Sequence, residues 1–103
     1  MIVLATNTSK RIAFLTGSSS GFGLHTSVAL AKAGFFVIAT MRDISKREEL
    51  DKLAAQNGVT DCLEVVQMDV TRPDEVIAAV SGVLARHQNI DLLVNNAGFA
   101  CGG

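Results

Sequence analysis

Thr16-Gly17-Ser18-Ser19-Ser20-Gly21-Phe22-Gly23 is the stretch on which the reading of this chain turns. It follows a short apolar run, Ile12-Ala13-Phe14-Leu15. It precedes a segment from Phe22 to Ala33 in which Leu24, Val28 and Ala31 recur at helical spacing. Gly17 can turn the chain sharply off a strand. Gly21 puts no side chain between the backbone and an anion such as a pyrophosphate, and Gly23 lets the helix approach the sheet. The helix start adds unpaired N–H groups and the positive end of its dipole. Ser18, Ser19 and Ser20 add hydroxyl donors. A plain flexible turn is the bland reading, and the strand-to-helix setting argues against it.

Outward from this segment, apolar runs and helical patterns alternate. Gly34 is a natural stop for the first helix. Phe35 to Met41 reads as a second strand, and Ser45 with Glu48 as a capping box before a helix that carries Leu50, Leu53 and Ala54. Cys62 to Val70 reads as a third strand. Thr71 and Asp74 are placed to cap a third helix, with Pro73 in its first turn and Val76, Ile77, Val80, Val83 and Leu84 as its apolar stripe. Asp91 to Val94 is a fourth strand running into Asn95-Asn96-Ala97-Gly98. The order βαβαβαβ makes the strands parallel, because a helical crossover returns the chain to the same edge. An open doubly wound α/β sheet follows, with strand order 3-2-1-4. Its ligand crevice lies outside the carboxyl ends of strands one and four, where Gly17 to Gly23 and Asn95 to Gly98 fall.

Composition agrees with one small domain of this class. The 103 residues are 49% hydrophobic and 18% charged, as strands buried on both faces require. A net charge of −1 and scattered basic residues offer no nucleic-acid surface. The pairs Lys10-Arg11 and Lys46-Arg47 read as solvated faces. Cys62 and Cys101 form neither a metal spacing nor a disulfide framework, so reduced thiols and a cytoplasmic setting are expected. No apolar run reaches the roughly 20 residues of a membrane span. Residues 1–10 read as a frayed leader to a domain over 11–103.

The spacing TGxxxGxG, the Asn95-Asn96-Ala97-Gly98 segment and the pair Asp69-Val70 at the end of strand three occur in order on the right elements. Together they resemble the short-chain dehydrogenase/reductase family, and the resemblance covers nearly the whole chain. It implies the N-terminal part of a single Rossmann-type domain, cut after strand four, in an oxidoreductase that interconverts alcohols and carbonyl compounds. Gly17, Ser18, Ser19, Ser20, Gly21, Phe22 and Gly23 would wrap the pyrophosphate and adenosine ribose of a nicotinamide dinucleotide. Asp69 would accept from the adenine amino group and Val70 would hold that ring through its backbone. Asn96, Ala97 and Gly98 would line the ribose side. Asn95 would be structural, tying strand four to its neighbours, and so would Thr16, its hydroxyl reaching the backbone of Asn95 to Gly98.

Strand two ends Ala39-Thr40-Met41-Arg42-Asp43. By resemblance, Met41 stands where NAD-dependent members place an acidic residue. Arg42 follows, and a guanidinium can grip a 2′-phosphate through two parallel hydrogen bonds. Ser19 or Ser20 could complete that pocket. NADP(H) is therefore expected over NAD(H). Segments 19–25 and 39–43 look like hydroxysteroid and retinol dehydrogenase members.

In that family a tyrosine, a lysine four residues later and a serine do the chemistry. This chain has no tyrosine. No residue here is therefore assigned to catalysis, none to a metal, and the chain alone is expected to be inactive. His25 and His87 are read as solvent-exposed, away from the crevice. Phe99 and Cys101 have only their position beside the crevice to recommend them. The alternatives are a non-catalytic NADP(H)-sensing module or an inactive truncated product. The parent protein is expected to be a homo-oligomer acting on a small alcohol or carbonyl substrate.

Overall fold

The computed structural model describes residues 11–19 and 21–96. Its elements are β1 (Ile12–Thr16), α1 (Gly21–Lys32), β2 (Phe36–Met41), α2 (Glu48–Gln56), β3 (Leu63–Gln67), α3 (Pro73–His87) and β4 (Leu92–Asn95). Single 3₁₀ turns at Ile44–Lys46 and Thr60–Cys62 precede α2 and β3. All three strand pairings are parallel, in the order β3-β2-β1-β4. The Rossmann-type sheet expected from the alternation of elements is the sheet observed. The leader proposed for residues 1–10 lies outside the described residues.

Helices cover both faces of the sheet, which explains why β1 and β2 read as continuous apolar runs rather than alternating ones. Ala13 and Leu15 of β1 pack with Leu24, Val28, Leu50 and Ala54 under α1 and α2. Ile12 and Phe14 point the other way, onto Ile38, Met68 and Val83 under α3. Successive residues of one strand thus feed two cores. Registers Leu15↔Val94 and Thr16↔Asn95 bring the ends of β1 and β4 level, and Met41↔Gln67 does the same for β2 and β3. β4 and β3 are the sheet's two edges. Leu93 on β4 is 65% exposed.

Three local expectations are corrected. Ser45 and Glu48 form no capping box. The Asp43 carboxylate takes the Ser45 N–H at 3.0 Å and its hydroxyl at 2.7 Å, so the chain enters α2 through a 3₁₀ turn and Arg47. Thr71 and Asp74 do not cap α3 either. Arg72 holds the extended N-cap position without a side-chain bond, and Pro73 occupies the first turn. His87 is not solvent-exposed. Its ring lies 5.0 Å from that of Phe36, and Nε2 stands 3.5 Å from a Glu64 carboxylate that also binds Arg86. No helix among the described residues is long and apolar enough to cross a membrane.

Candidate functional site

The ends of β1 and β4 are joined by one threonine. Thr16 Oγ1 donates to Asn95 Oδ1 at 2.9 Å and accepts from the Asn96 N–H at 2.9 Å. Thr16 and Asn95 therefore have the structural parts the sequence suggested. With Thr16 only 6% exposed, its hydroxyl shields the Asn96 N–H from needing water. Thr16→Val should lower stability by about 1–2 kcal/mol, because it leaves that donor without its partner. Urea unfolding of both proteins measures this.

Past Thr16 the glycine segment turns back on itself. Gly17 and Gly21 have φ of +68° and +60°, the left-handed region that side chains disfavour. A Cβ on Gly23 would lie 1.9 Å from the Gly17 carbonyl oxygen and 3.3 Å from Asn96 Nδ2. The start of α1 thus presses on the loop and on the end of β4 at one point. Among the described residues a Cβ on Gly21 would meet nothing within 4 Å. Phe22 is 74% exposed beside it. Asn96 Nδ2 is buried and meets no acceptor among the described residues.

Ser18 corrects an expectation. It is fully buried, its N–H donates to the Thr40 carbonyl at 3.1 Å, and its hydroxyl lies 3.5 Å from that of Ser27. Its N–H ties the loop to β2, and its buried hydroxyl turns towards Ser27 on α1 rather than towards a phosphate. Ser19 does face a cleft, of about 340 Å³, shared with Ser45, Lys46, Glu48 and Glu49. The sequence reading passed over Lys46, whose only signal was its place in a basic pair. The partner in that pair, Arg47, bonds Asp51 at 2.9 Å, as a solvated helix face would. Ser20, Ala97 and Gly98, together with Phe99 and Cys101, lie outside the described residues.

At the ends of β2 and β3, Met41 is 2% exposed and the Arg42 side chain projects outward. Among the described residues Arg42 makes no ion pair within 4 Å, and Asp43 Oδ1 takes both the N–H and the hydroxyl of Ser45. Asp69 accepts from the Thr71 hydroxyl at 2.7 Å and N–H at 2.9 Å, both on Oδ1. These bonds, hydroxyl first, hold its carboxyl below the usual carboxylate range, and the charges of Arg42 and Arg72 add to the effect. Asp69 is therefore ionised at neutral pH and can only accept hydrogen bonds. Val70 lines an apolar cleft of about 410 Å³ on the α3 side, with Phe14, Thr16, Val76, Leu93 and Asn95. His25 stands in a shallower groove between α1 and α2, away from these residues.

The sequence profile of the short chain dehydrogenase family matches residues 11–103. The chain belongs to that family. It is 49% identical over 94 residues to an uncharacterized oxidoreductase, YusZ, of Bacillus subtilis, covering 91% of this chain and 33% of that protein. Human retinol dehydrogenase 8 is 38% identical over 96 residues, covering 90% of this chain and 30% of its own length. A metagenomic short-chain oxidoreductase solved in complex with NADP superposes with a TM-score of 0.77 at 34% identity, covering 86% of this chain and 39% of that one. The chain thus spans about a third of the length of these short-chain dehydrogenase relatives.

Tested against the dinucleotide that this family binds, the residues fit. Two glycines hold left-handed turns, a third brings the helix start against the loop, and no described residue lies within 4 Å of where a Gly21 Cβ would stand.

Proposed function

We propose that this chain is the NADP(H)-binding portion of an oxidoreductase that interconverts alcohols and carbonyl compounds. The observation that carries the reading is the Gly17–Gly23 contact. It seats the start of α1 against the glycine loop and the end of β4, at the switch point of the sheet, where a helix N-terminus favours an anion. Gly17, Ser19, Gly21, Phe22 and Gly23 surround the pyrophosphate and ribose in this reading, with Ser20 beside them. The Asp69 carboxylate takes the adenine amino group and Val70 flanks the ring. Asn96, Ala97 and Gly98 line the ribose side of the cofactor in the same reading. Once bound, the cofactor supplies or accepts hydride, while this chain's residues bind and orient it.

The preference for NADP(H) over NAD(H) is supported by Arg42. Its guanidinium is exposed and free of ion pairs among the described residues, and no carboxylate stands at Met41 to repel a 2′-phosphate. The NADP complex of the metagenomic relative agrees with this direction. The substrate is an alcohol or carbonyl compound of a class set outside these residues, and the chain by itself is inactive.

Thermal unfolding of the full-length protein, alone and with NADPH or NADH at equal concentration, tests the reading. Binding to the folded state alone adds about 2.7 kcal/mol at a hundredfold excess over Kd. The expected result is a rise with both nucleotides, larger for NADPH. No rise with either nucleotide removes the cofactor reading, and equal rises remove the preference.

A further inference from the structure

Gln67 ends β3 and Glu75 stands in the first turn of α3, and nothing in the sequence pattern marked either residue. Ladder bonding between β2 and β3 runs out where Met68 donates to the Met41 carbonyl at 2.9 Å. Beyond that point the two chain ends carry Arg42 and Asp69, and side chains take over from the ladder. Gln67 Nε2 donates to the Arg42 carbonyl at 3.0 Å and to Glu75 Oε1 at 3.1 Å. The same Oε1 accepts the Asp69 N–H at 3.0 Å. Glu75 Oε2 pairs separately with Arg72 Nε at 3.1 Å.

Both hydrogens of the Gln67 amide are spent in this bridge, and Oε1 receives two donors. The bond to the Asp69 N–H is charge-assisted and so stronger than a neutral one. A carboxylate in the first turn of a helix is itself favoured by the helix dipole. With a side chain only 28% exposed, Glu75 is partly shielded from competing water. The bridge fixes the spacing of two backbone positions whose side chains have different tasks in the reading above. Arg42 faces the 2′-phosphate and Asp69 faces the adenine.

We propose that Glu75 and Gln67 are positioning residues for the adenosine half of the dinucleotide, with Glu75 holding Asp69 and Gln67 holding Arg42. This rests on the cofactor reading. It predicts a division of labour that a purely structural bridge would not show. Removing Glu75 disturbs the adenine reader, which both nucleotides use. Removing Gln67 while Glu75 still holds Asp69 disturbs mainly the phosphate reader, which only NADP(H) uses.

The test is equilibrium titration of the full-length protein with NADPH and with NADH, alongside its melting temperature, for wild type, Glu75→Ala, Glu75→Gln, Gln67→Leu and Arg72→Ala. Loss of a hydrogen bond to a charged group is worth about tenfold in affinity. Glu75→Ala is expected to weaken both nucleotides by about that factor, and Glu75→Gln, which keeps an acceptor oxygen, to recover most of it. Gln67→Leu should weaken NADPH about fivefold more than NADH, and Arg72→Ala should leave both within about twofold. Wild-type affinities in Glu75→Ala and Gln67→Leu, whatever their melting temperatures, would overturn the proposal and leave the cofactor reading standing. A wild-type protein that binds neither nucleotide overturns both. Should Glu75→Ala fail to fold, the nucleotide ratio in Gln67→Leu decides.

Discussion

Gly23→Ala is expected to destabilise the protein by about 3 kcal/mol, the upper end of what one buried methyl costs when it has no room. The new Cβ would stand 1.9 Å from the Gly17 carbonyl oxygen and 2.8 Å from its carbon. Both are backbone atoms, so no side chain can swing aside. Either α1 lifts away from the sheet or the loop leaves its left-handed turn at Gly17. The first route opens the contacts of Leu24 and Val28 with Leu15 and Val37, and the second undoes the bond from Ser18 to the Thr40 carbonyl. The denaturant midpoint should fall with little change in slope, and NADPH affinity should fall with it. Gly21→Ala supplies the contrast. Its Cβ meets nothing within 4 Å among the described residues, so the cost is that of a left-handed alanine, about 1–2 kcal/mol. The folded protein should survive that change, yet lose cofactor affinity by more than the stability loss explains, because the methyl occupies the space over the helix start. If Gly21→Ala bound NADPH as well as wild type, the cradle would lie elsewhere. If Gly23→Ala were as stable as wild type, the tight contact on which the site depends would be absent.

How much of this was legible in the sequence follows from the range of the interactions. The elements and the two-sided core follow from apolar runs alternating with helical stripes, which are local and repeated, and the strand order follows from the parallel crossovers that alternation requires. The run Ile12 to Leu15, apolar at every position, is such a case, and the pleat of the strand sends its residues alternately to the two cores. The glycine tasks were legible because backbone conformation restricts residue type at each position. Capping was not, because several short polar side chains compete for the same N–H groups. Asp43 wins Ser45 before Ser45 can reach Glu48, and Asp69 takes the Thr71 hydroxyl before it can cap α3. Ser18 looked like its neighbours Ser19 and Ser20. Only the fold shows that its hydroxyl turns inward towards Ser27, whereas Ser19 faces a cleft. His87 owes its surroundings to elements distant in the chain, Phe36 and Glu64, and Glu75 meets Gln67 and the Asp69 backbone only because the chain folds back between β3 and α3. No spacing rule encodes those meetings.

Arg42→Leu is expected to cut NADPH affinity by about tenfold to a hundredfold, while NADH changes by less than about threefold. A guanidinium–phosphate contact through charge-assisted bonds is worth about 1.5–3 kcal/mol, and each 1.4 kcal/mol is a factor of about ten. Two features of the surroundings make the side chain available for it. Asp43, the nearest carboxylate in sequence, is held by Ser45, and bonds from the Ser45 hydroxyl and N–H lower its pKa. Met41 is turned into the core, so no acidic side chain occupies that position, and Asp69, whose charge Arg42 also feels, is held by Thr71. Glu48 and Glu49 do line the nearby cleft with Lys46, but Glu48 lies 3.8 Å from Lys52. Arg42→Lys keeps the charge and loses the planar fork, and should fall between wild type and Arg42→Leu. Salt gives an independent check. Arg42 is exposed, so its attraction for a phosphate is screened by added ions. The wild-type preference for NADPH should shrink as salt rises, and the Arg42→Leu ratio of the two affinities should stay nearly flat. Equal losses of NADPH and NADH in Arg42→Leu would mean that this side chain supports the loop and does not read the phosphate. The preference, if present, would then have to come from Ser19 and Lys46 across the cleft.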